Sequence, residues 1–496
     1  MGSLIFRLPE TLPAGAETAL RGSCIAGGFD QNPVPSRVVV ESGRLVVSRE
    51  VNESGYLMLP WPVEGFGNPL TTSATLREQD TPYNLLVELA RGKLNQVRSQ
   101  TVEWQSLGLR TTPDYDTELR AVNQVFAKAV LSQPSTESDR HAAQTLQRSY
   151  RLADTLVRLY TAQVLETRHS EEGKLRTPFA ARITRPLSGD RLAEYRKCFT
   201  AVQIPFRWCD LEPSEANYDW STIDQVVASA KAAGLPITGG PVIDLAPGMI
   251  PPWAAGWDGD LPTLAAFMCD FLETVLDRYR GSIRRWQICA GFNHADAYGL
   301  TDDDRLRLAA RLLDAAAHVD NDLEFTLGIS QPWGDYLCSE DQTIPPFQFA
   351  DDLVRNGLRV GAVDLEIVMG SRPRGSWTRD LIEACRIMDL FGLLGLPIEV
   401  TLSAPSAPQG DTVSAVHGQT PSSGPGLITP SPEFQAEWGA AFSALALCKP
   451  HVRAVTWSTW ADADPHLFPC GGILGSDNKP KPLHARLSAL RSSHLA

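Results

Sequence analysis

The chain predicts an α/β fold: a (β/α)8 barrel preceded by a small β-sandwich-like domain and a helical segment. Three observations carry this. Residues 178–492 alternate eight short strand-like runs with helical stretches. Residues 1–78 hold β-rich runs broken by Ser-Gly turns, and residues 79–170 carry apolar stripes at helical spacing. A chain of 496 residues is long enough to bury a core in each region.

In the first region, Arg37–Glu41 and Arg44–Ser48 flank a Ser-Gly turn and read as a hairpin. A second turn at Glu53–Gly55 precedes the run Tyr56–Pro60, and Asn68-Pro69 precedes Thr71–Thr75. In the second region, Leu85, Leu86, Leu89, Leu94 and Val97 make one apolar stripe. Further helices fit Asp116–Leu131 and Ser138–Glu166, with a break and a Ser cap supplied by Gln133–Ser138.

The eight barrel strands are expected at Arg182–Thr184, Gln203–Trp208, Pro236–Gly240, Arg285–Cys289, Glu324–Ile329, Val363–Ile367, Pro397–Thr401 and Ala454–Ser458. A doubly wound sheet is the alternative, but no glycine-rich fingerprint follows the first strand. Ser403–Pro432 is crowded with Pro, Gly, Ser and Thr. It predicts a long loop on the face where barrels do chemistry, either a lid or a passive connection.

A formal charge of −13 argues against nucleic acid as a partner. No apolar run is long enough to span a membrane, and the first residues lack the pattern of a signal peptide. Nine scattered cysteines suit a reducing compartment, so a cytoplasmic location is expected.

Three barrel segments carry a further signal: Phe206–Trp220 with Glu212-Pro213, Gly239–Leu245 leading to Pro251-Pro-Trp253, and Gly471–Pro482. In order and spacing they resemble glycoside hydrolase family 10, the retaining β-xylanase family. The first 170 residues carry no part of this resemblance. It implies a β-linked saccharide as ligand and no cofactor or metal. It also places the family's acid/base on Gly291 and its nucleophile on Leu402. The sugar-contacting His and Trp after strand three fall on Gly240 and Asp244, and a sugar-contacting Lys becomes Arg207. Glu366 stands for a Gln of strand six, Val368 for a His, and Trp457 for the aromatic floor, with Trp460 nearby.

Retaining hydrolysis needs two carboxyl groups roughly 5–5.5 Å apart, one protonated and one ionised. Neither Gly291 nor Leu402 supplies one, so the family mechanism is expected to be absent unless other residues take over. Glu366 is the first candidate, as a relocated acid or as a buried carboxylate paired with Arg207. Asp244 would act opposite it, or cap a turn. Glu399 is expected to be off-phase, facing the helices, because Ile398, Val400 and Leu402 share the other face. Asn293, His294 and Asp296 follow strand four, where a bulge would bring Asn293 or His294 to the lost acid position. Asp462, Asp464 and His466 follow strand eight beside Trp457 and Trp460, an arrangement that suits a sugar ring or a set of satisfied turn residues. His466 and Cys470 lack the second ligand pair of a metal site. The expected function is therefore saccharide binding in the barrel cleft. The alternatives are a glycosidase with relocated carboxylates, and a protein partner held through the N-terminal region.

Overall fold

The computed structural model describes residues 2–257, 259–294, 298–338, 342–371, 374–415 and 430–496. The chain opens with β1 (Gly2–Arg7), α1 (Ala16–Arg21), β2 (Cys24–Gly27), β3 (Asn32–Val34), β4 (Arg37–Glu41), β5 (Arg44–Arg49), β6 (Tyr56–Pro60), β7 (Leu70–Thr72) and β8 (Tyr83–Asn84). These strands make two four-stranded sheets, ordered β4-β5-β1-β8 and β3-β2-β6-β7. In the predicted hairpin, Val39 sits opposite Val46. Its turn residues Ser42 and Gly43 both take positive φ, which matches the twist of the paired strands.

Three helices follow: α2 (Leu85–Ser106), α3 (Pro113–Leu131) and α4 (Thr136–Glu172). Each begins at a side chain that accepts a first-turn N–H: Asn84, Thr112 and Ser135. Gly92 lets α2 lie against β7, because a Cβ there would meet the Thr72 carbonyl oxygen at 2.1 Å. These helices are fixed to the barrel. The α4 helix packs on two barrel helices, and the buried Lys93 ammonium pairs with Asp380.

The barrel elements are β9 (Phe179–Arg182), α5 (Gly189–Cys198), β10 (Ala201–Ile204), α6 (Trp208–Leu211), α7 (Ser221–Ala232), β11 (Ile237–Gly239), β12 (Ile243–Asp244), α8 (Pro252–Ala255), α9 (Leu261–Arg278), β13 (Arg285–Ala290), α10 (Asp302–Val319), β14 (Glu324–Ser330), α11 (Pro346–Arg355), β15 (Ala362–Val368), α12 (Leu381–Gly392), β16 (Ile398–Ser403), α13 (Pro432–Cys448), β17 (Val452–Trp457) and α14 (Pro482–His494). Both β11 and β12 pair with β13, so they are two halves of one strand. All pairings are parallel, and β17 closes the ring on β9.

Two strands lie earlier than expected. The first is Phe179-Ala-Ala-Arg182, whose alanines are weak strand formers and hid it. The second ends at Ile204, before Pro205, and Trp208 already begins α6. Residues 416–429 of the expected long loop lie outside the described residues, as does Asp296. No described helix is long and apolar enough to cross a membrane.

Candidate functional site

The inside of this barrel is polar and its outside is apolar. Arg182, Gln203, Gln287, Asp364, Glu366 and Thr401 all face inward and bond one another across the strands. Gln203 Nε2 donates to Gln287 Oε1 (2.8 Å), and Gln287 Nε2 donates to Asp364 (3.1 Å). Thr401 Oγ1 lies 2.9 Å from the same carboxylate. Arg182 donates through Nε to Gln203 and through Nη2 to Gln287, both at 3.2 Å.

This network corrects the expected phase of strand seven. Asp364 is in register with Glu399, and Glu366 with Thr401. Neighbours in register share a face of the sheet, so Glu399, Thr401 and Ser403 point into the barrel. Ile398, Val400 and Leu402 point outward and join the apolar core shared with the helices. Leu402 therefore does not face the cleft. Glu399 forms its ion pair inside, with Arg453 at 2.7 Å, in the layer of Thr326. At the mouth, strand seven presents the hydroxyl-bearing Thr401 and Ser403.

Above this layer sits a buried ionic cluster built around Arg374, in the loop after β15. Its Nη2 and Nε donate to Glu366 Oε2 at 2.9 and 3.2 Å, and Nη1 donates to Asp244. Ser330 Oγ donates to Glu366 Oε2 at 2.6 Å. Arg182 lies 3.5 Å from Glu366 Oε1. The expected Glu366–Arg207 pair is thus replaced by pairs to Arg374 and Arg182. Arg207 instead meets the exposed Asp210 at 3.2 Å.

The same guanidinium fills the place expected for a proton donor. Gly291 has φ +73°, and a Cβ there would lie 3.1 Å from Arg374 Nη1. Gly291 thus leaves the space that the guanidinium takes.

Burial alone would raise the Glu366 carboxyl, but the charges of Arg374 and Arg182 outweigh it and hold the group at about 2. Asp364, one layer deeper, is raised by burial to about 7, against the pull of Arg182. With Asp364 protonated, two guanidinium groups balance the two carboxylates Glu366 and Asp244, and the cluster is neutral. A neutral, bonded cluster is what makes charge tolerable at this depth.

Beside it a small recess, with about 50 Å³ of room for the centres of water-sized spheres, lies between strands one, two, three and eight. Arg182, Arg207, Asp244, Trp460, Asp464 and His466 are among its lining. Arg207 Nε has no hydrogen-bond partner among the described residues. Asp464 is held by Arg191, and Asp244 also accepts from the Ala246 N–H (2.8 Å), the expected turn cap. His466 accompanies Asp411 across the mouth: Nε2 lies 3.0 Å from the carboxylate, whose charge raises the imidazole pKa against the opposing effect of burial.

The other expected residues lie elsewhere. Asn293 is locked to strand five, donating to Ser330 O (2.7 Å) and accepting from its N–H (2.9 Å). His294 is buried against Tyr336 and Gln331. Trp457 points outward onto Trp438, and its Nε1 donates to Gly471 O (2.7 Å). The Trp460 ring packs among Tyr195, Phe199 and His484. Trp457 lies outside the recess, and Trp460 borders it but is only 1% exposed. Asp462 pairs with Lys481 (2.6 Å) and accepts from the Gly472 N–H (2.6 Å). Its carboxylate, Asp411 and His466 come within 4.8 Å of one another, but Lys481 is the cation that Asp462 already holds.

The residues missed from sequence are Arg374 and Arg182. The signal for Arg374 was the loop Gly370-Ser-Arg-Pro-Arg-Gly375, two arginines between glycines directly after strand six.

The model of glycosyl hydrolase family 10 matches residues 200–300. Endo-1,4-beta-xylanase A of Fusarium oxysporum f. sp. lycopersici is 27% identical over 82 residues, 16% of this chain and only 24% of that relative. Among solved structures, a family 10 protein from Paenibacillus barcinonensis aligns with TM-score 0.48 and 16% identity, over 67% of this chain and 97% of that one. Xylanase 10B of Thermotoga petrophila, in complex with xylobiose, aligns with TM-score 0.47 and 13% identity, over 67% and 96%. Together with the closed ring of eight parallel strands, the family match makes this a glycoside hydrolase family 10-like barrel.

Proposed function

We propose that the barrel binds a β-linked saccharide and lacks the two-carboxylate retaining mechanism, making it a pseudoenzyme of xylanase-like ancestry. The observation that carries this is the Arg374 guanidinium, which stands over Gly291 and holds both Glu366 and Asp244. Retaining hydrolysis needs one carboxyl that can give a proton and one free to attack, both facing the sugar. Glu366 is kept ionised behind the guanidinium and is only 1% exposed. Asp364 keeps its proton to about pH 7, but it lies below Glu366 and outside the recess lining.

Support for saccharide binding comes from the recess. Its wall carries guanidinium and hydroxyl groups from Arg182, Arg207, Thr184, Ser458 and Thr459. Such groups orient sugar hydroxyls, and an unpartnered donor in a concave site is costly until a ligand meets it. The glycosidase alternative requires Arg374 to release Glu366 and Asp244 when substrate arrives.

Isothermal titration calorimetry with xylo-oligosaccharides tests the binding half. The expected result is saturable binding that weakens at least tenfold in Arg207→Ala, with the sugar recovered intact. Intact sugar without binding would remove the saccharide assignment. Recovered cleavage products that disappear with Glu366→Gln would favour the glycosidase.

A further inference from the structure

The lining of the recess holds the cations Arg182, Arg207 and His466 and the carboxylates Asp244 and Asp464. Both carboxylates are neutralised by guanidinium groups outside the lining, Asp244 by Arg374 and Asp464 by Arg191. Arg182 is balanced by Glu366, at 3.5 Å. His466 meets an acceptor at each ring nitrogen: the Asp464 carbonyl oxygen lies 2.7 Å from Nδ1 and the Asp411 carboxylate 3.0 Å from Nε2. Neither oxygen donates, so the ring carries both protons and is an imidazolium balanced by Asp411.

Arg207 is held less firmly. Its counter-ion is Asp210, 3.2 Å from Nη1, with a side chain that is 55% exposed. An ion pair with that much water around it is weak. The other edge of the guanidinium is almost unused: Nε has no partner among the described residues, and Nη2 has only the Cys209 sulfur, at 4.0 Å. Nε and Nη2 lie side by side, on an edge that can hold a carboxylate through two parallel hydrogen bonds. The indole N–H of Trp460, which also borders the recess, is buried without a partner as well. Both spare groups are donors. Among the described residues, no residue lining the recess has a buried side-chain acceptor left over. The recess is small too. One water needs about 10–15 Å³ on the measure that gives about 50 Å³ here, so the space suits a group of a few heavy atoms and not a whole sugar ring.

We propose that the recess takes the carboxylate of a uronic-acid sugar on the Nε–Nη2 edge of Arg207, with the sugar ring left at the mouth. This rests on the saccharide reading and narrows it to acidic sugars. The carboxylate matches the recess in size, supplies the acceptors that the spare donors lack, and brings the charge that Asp210 compensates only through water. An uncharged sugar offers a hydroxyl at that edge, without the opposing charge or the second parallel bond.

Calorimetric titration of the full chain tests this with methyl β-D-glucuronide and methyl β-D-glucoside, which differ only in a carboxylate in place of a hydroxymethyl group. Xylotriose is titrated alongside as a probe of the broader reading. At pH 7 and low salt the glucuronide should bind about tenfold more tightly than the glucoside, or better. Arg207→Gln should erase that preference. Arg207→Lys, which keeps the charge and loses the flat edge, should retain only part of it. Asp210→Asn removes the competing carboxylate and should tighten the glucuronide alone. Melting curves establish that each variant is folded. Equal affinity for the two glycosides, or a preference that survives Arg207→Gln, would overturn the proposal. If xylotriose still binds in that case, the saccharide reading stands without it. No binding by any of the three sugars would overturn both.

Discussion

Two carboxyl groups on one strand, Asp364 and Glu366, are driven in opposite directions by their surroundings, and each makes a pH prediction. Asp364 keeps its proton in the folded chain to about pH 7, whereas the unfolded chain releases it near its ordinary 3.8. Its stabilising contribution is complete below about pH 4 and is lost as pH rises through 7. Glu366 runs the other way: its contribution is present above 4.5 and is lost as pH falls through about 2. Denaturant titrations from pH 4 to 8 should show the first loss in the wild type and not in Asp364→Asn. Equal slopes in the two chains would mean that Asp364 titrates normally. Arg374→Met should cost about 3–5 kcal/mol, because it leaves two carboxylates buried without their cation. Gly291→Ala should cost about 1–3 kcal/mol, since the new methyl group requires both positive φ and the space of the guanidinium. Urea midpoints read both, and a neutral Gly291→Ala would show that Arg374 does not occupy that space.

At the scale of the strand, the instructive residue is Leu402. Apolar alternation read as inward put Ile398, Val400 and Leu402 in the cleft. In a (β/α)8 barrel both faces of a strand are buried, so apolarity does not mark the inside. Here polarity does: Glu399 and Thr401, like Asp364 and Glu366 beside them, turn inward because each finds a bonding partner there. The hairpin and the three long helices were legible because their periodicity was uninterrupted and their caps were strong. Strand one was not, because alanines carry little β signal. The ionic cluster was illegible for a different reason. Its members come from strands one, three, five and six and one loop, and only closure of the ring brings them together. Leu402→Ala should therefore behave as a core truncation, costing about 2–4 kcal/mol and leaving saccharide affinity unchanged. Altered affinity with unchanged stability would put Leu402 back in the cleft.

At the scale of the molecule, the N-terminal sheets and helices act as a brace. The buried Lys93 on α2 pairs with Asp380, the N-cap residue of α12, and Gln96 bonds Glu383 one turn further on. Lys93→Met leaves Asp380 without this cation and should lower stability by about 3 kcal/mol. The brace also reaches the mouth through Leu70 and Thr378, a few residues beyond Arg374.

Turnover is the most direct test of the claim that Arg374 has replaced the proton donor. Purified wild-type chain and Glu366→Gln are to be assayed side by side on an aryl β-xyloside and on xylo-oligosaccharides from pH 4 to 9. Equal release from both, at the level of the buffer, is the result expected of a cleft closed by a guanidinium. Release by the wild type that vanishes in Glu366→Gln would show that the buried carboxylate is catalytic, and would contradict the account.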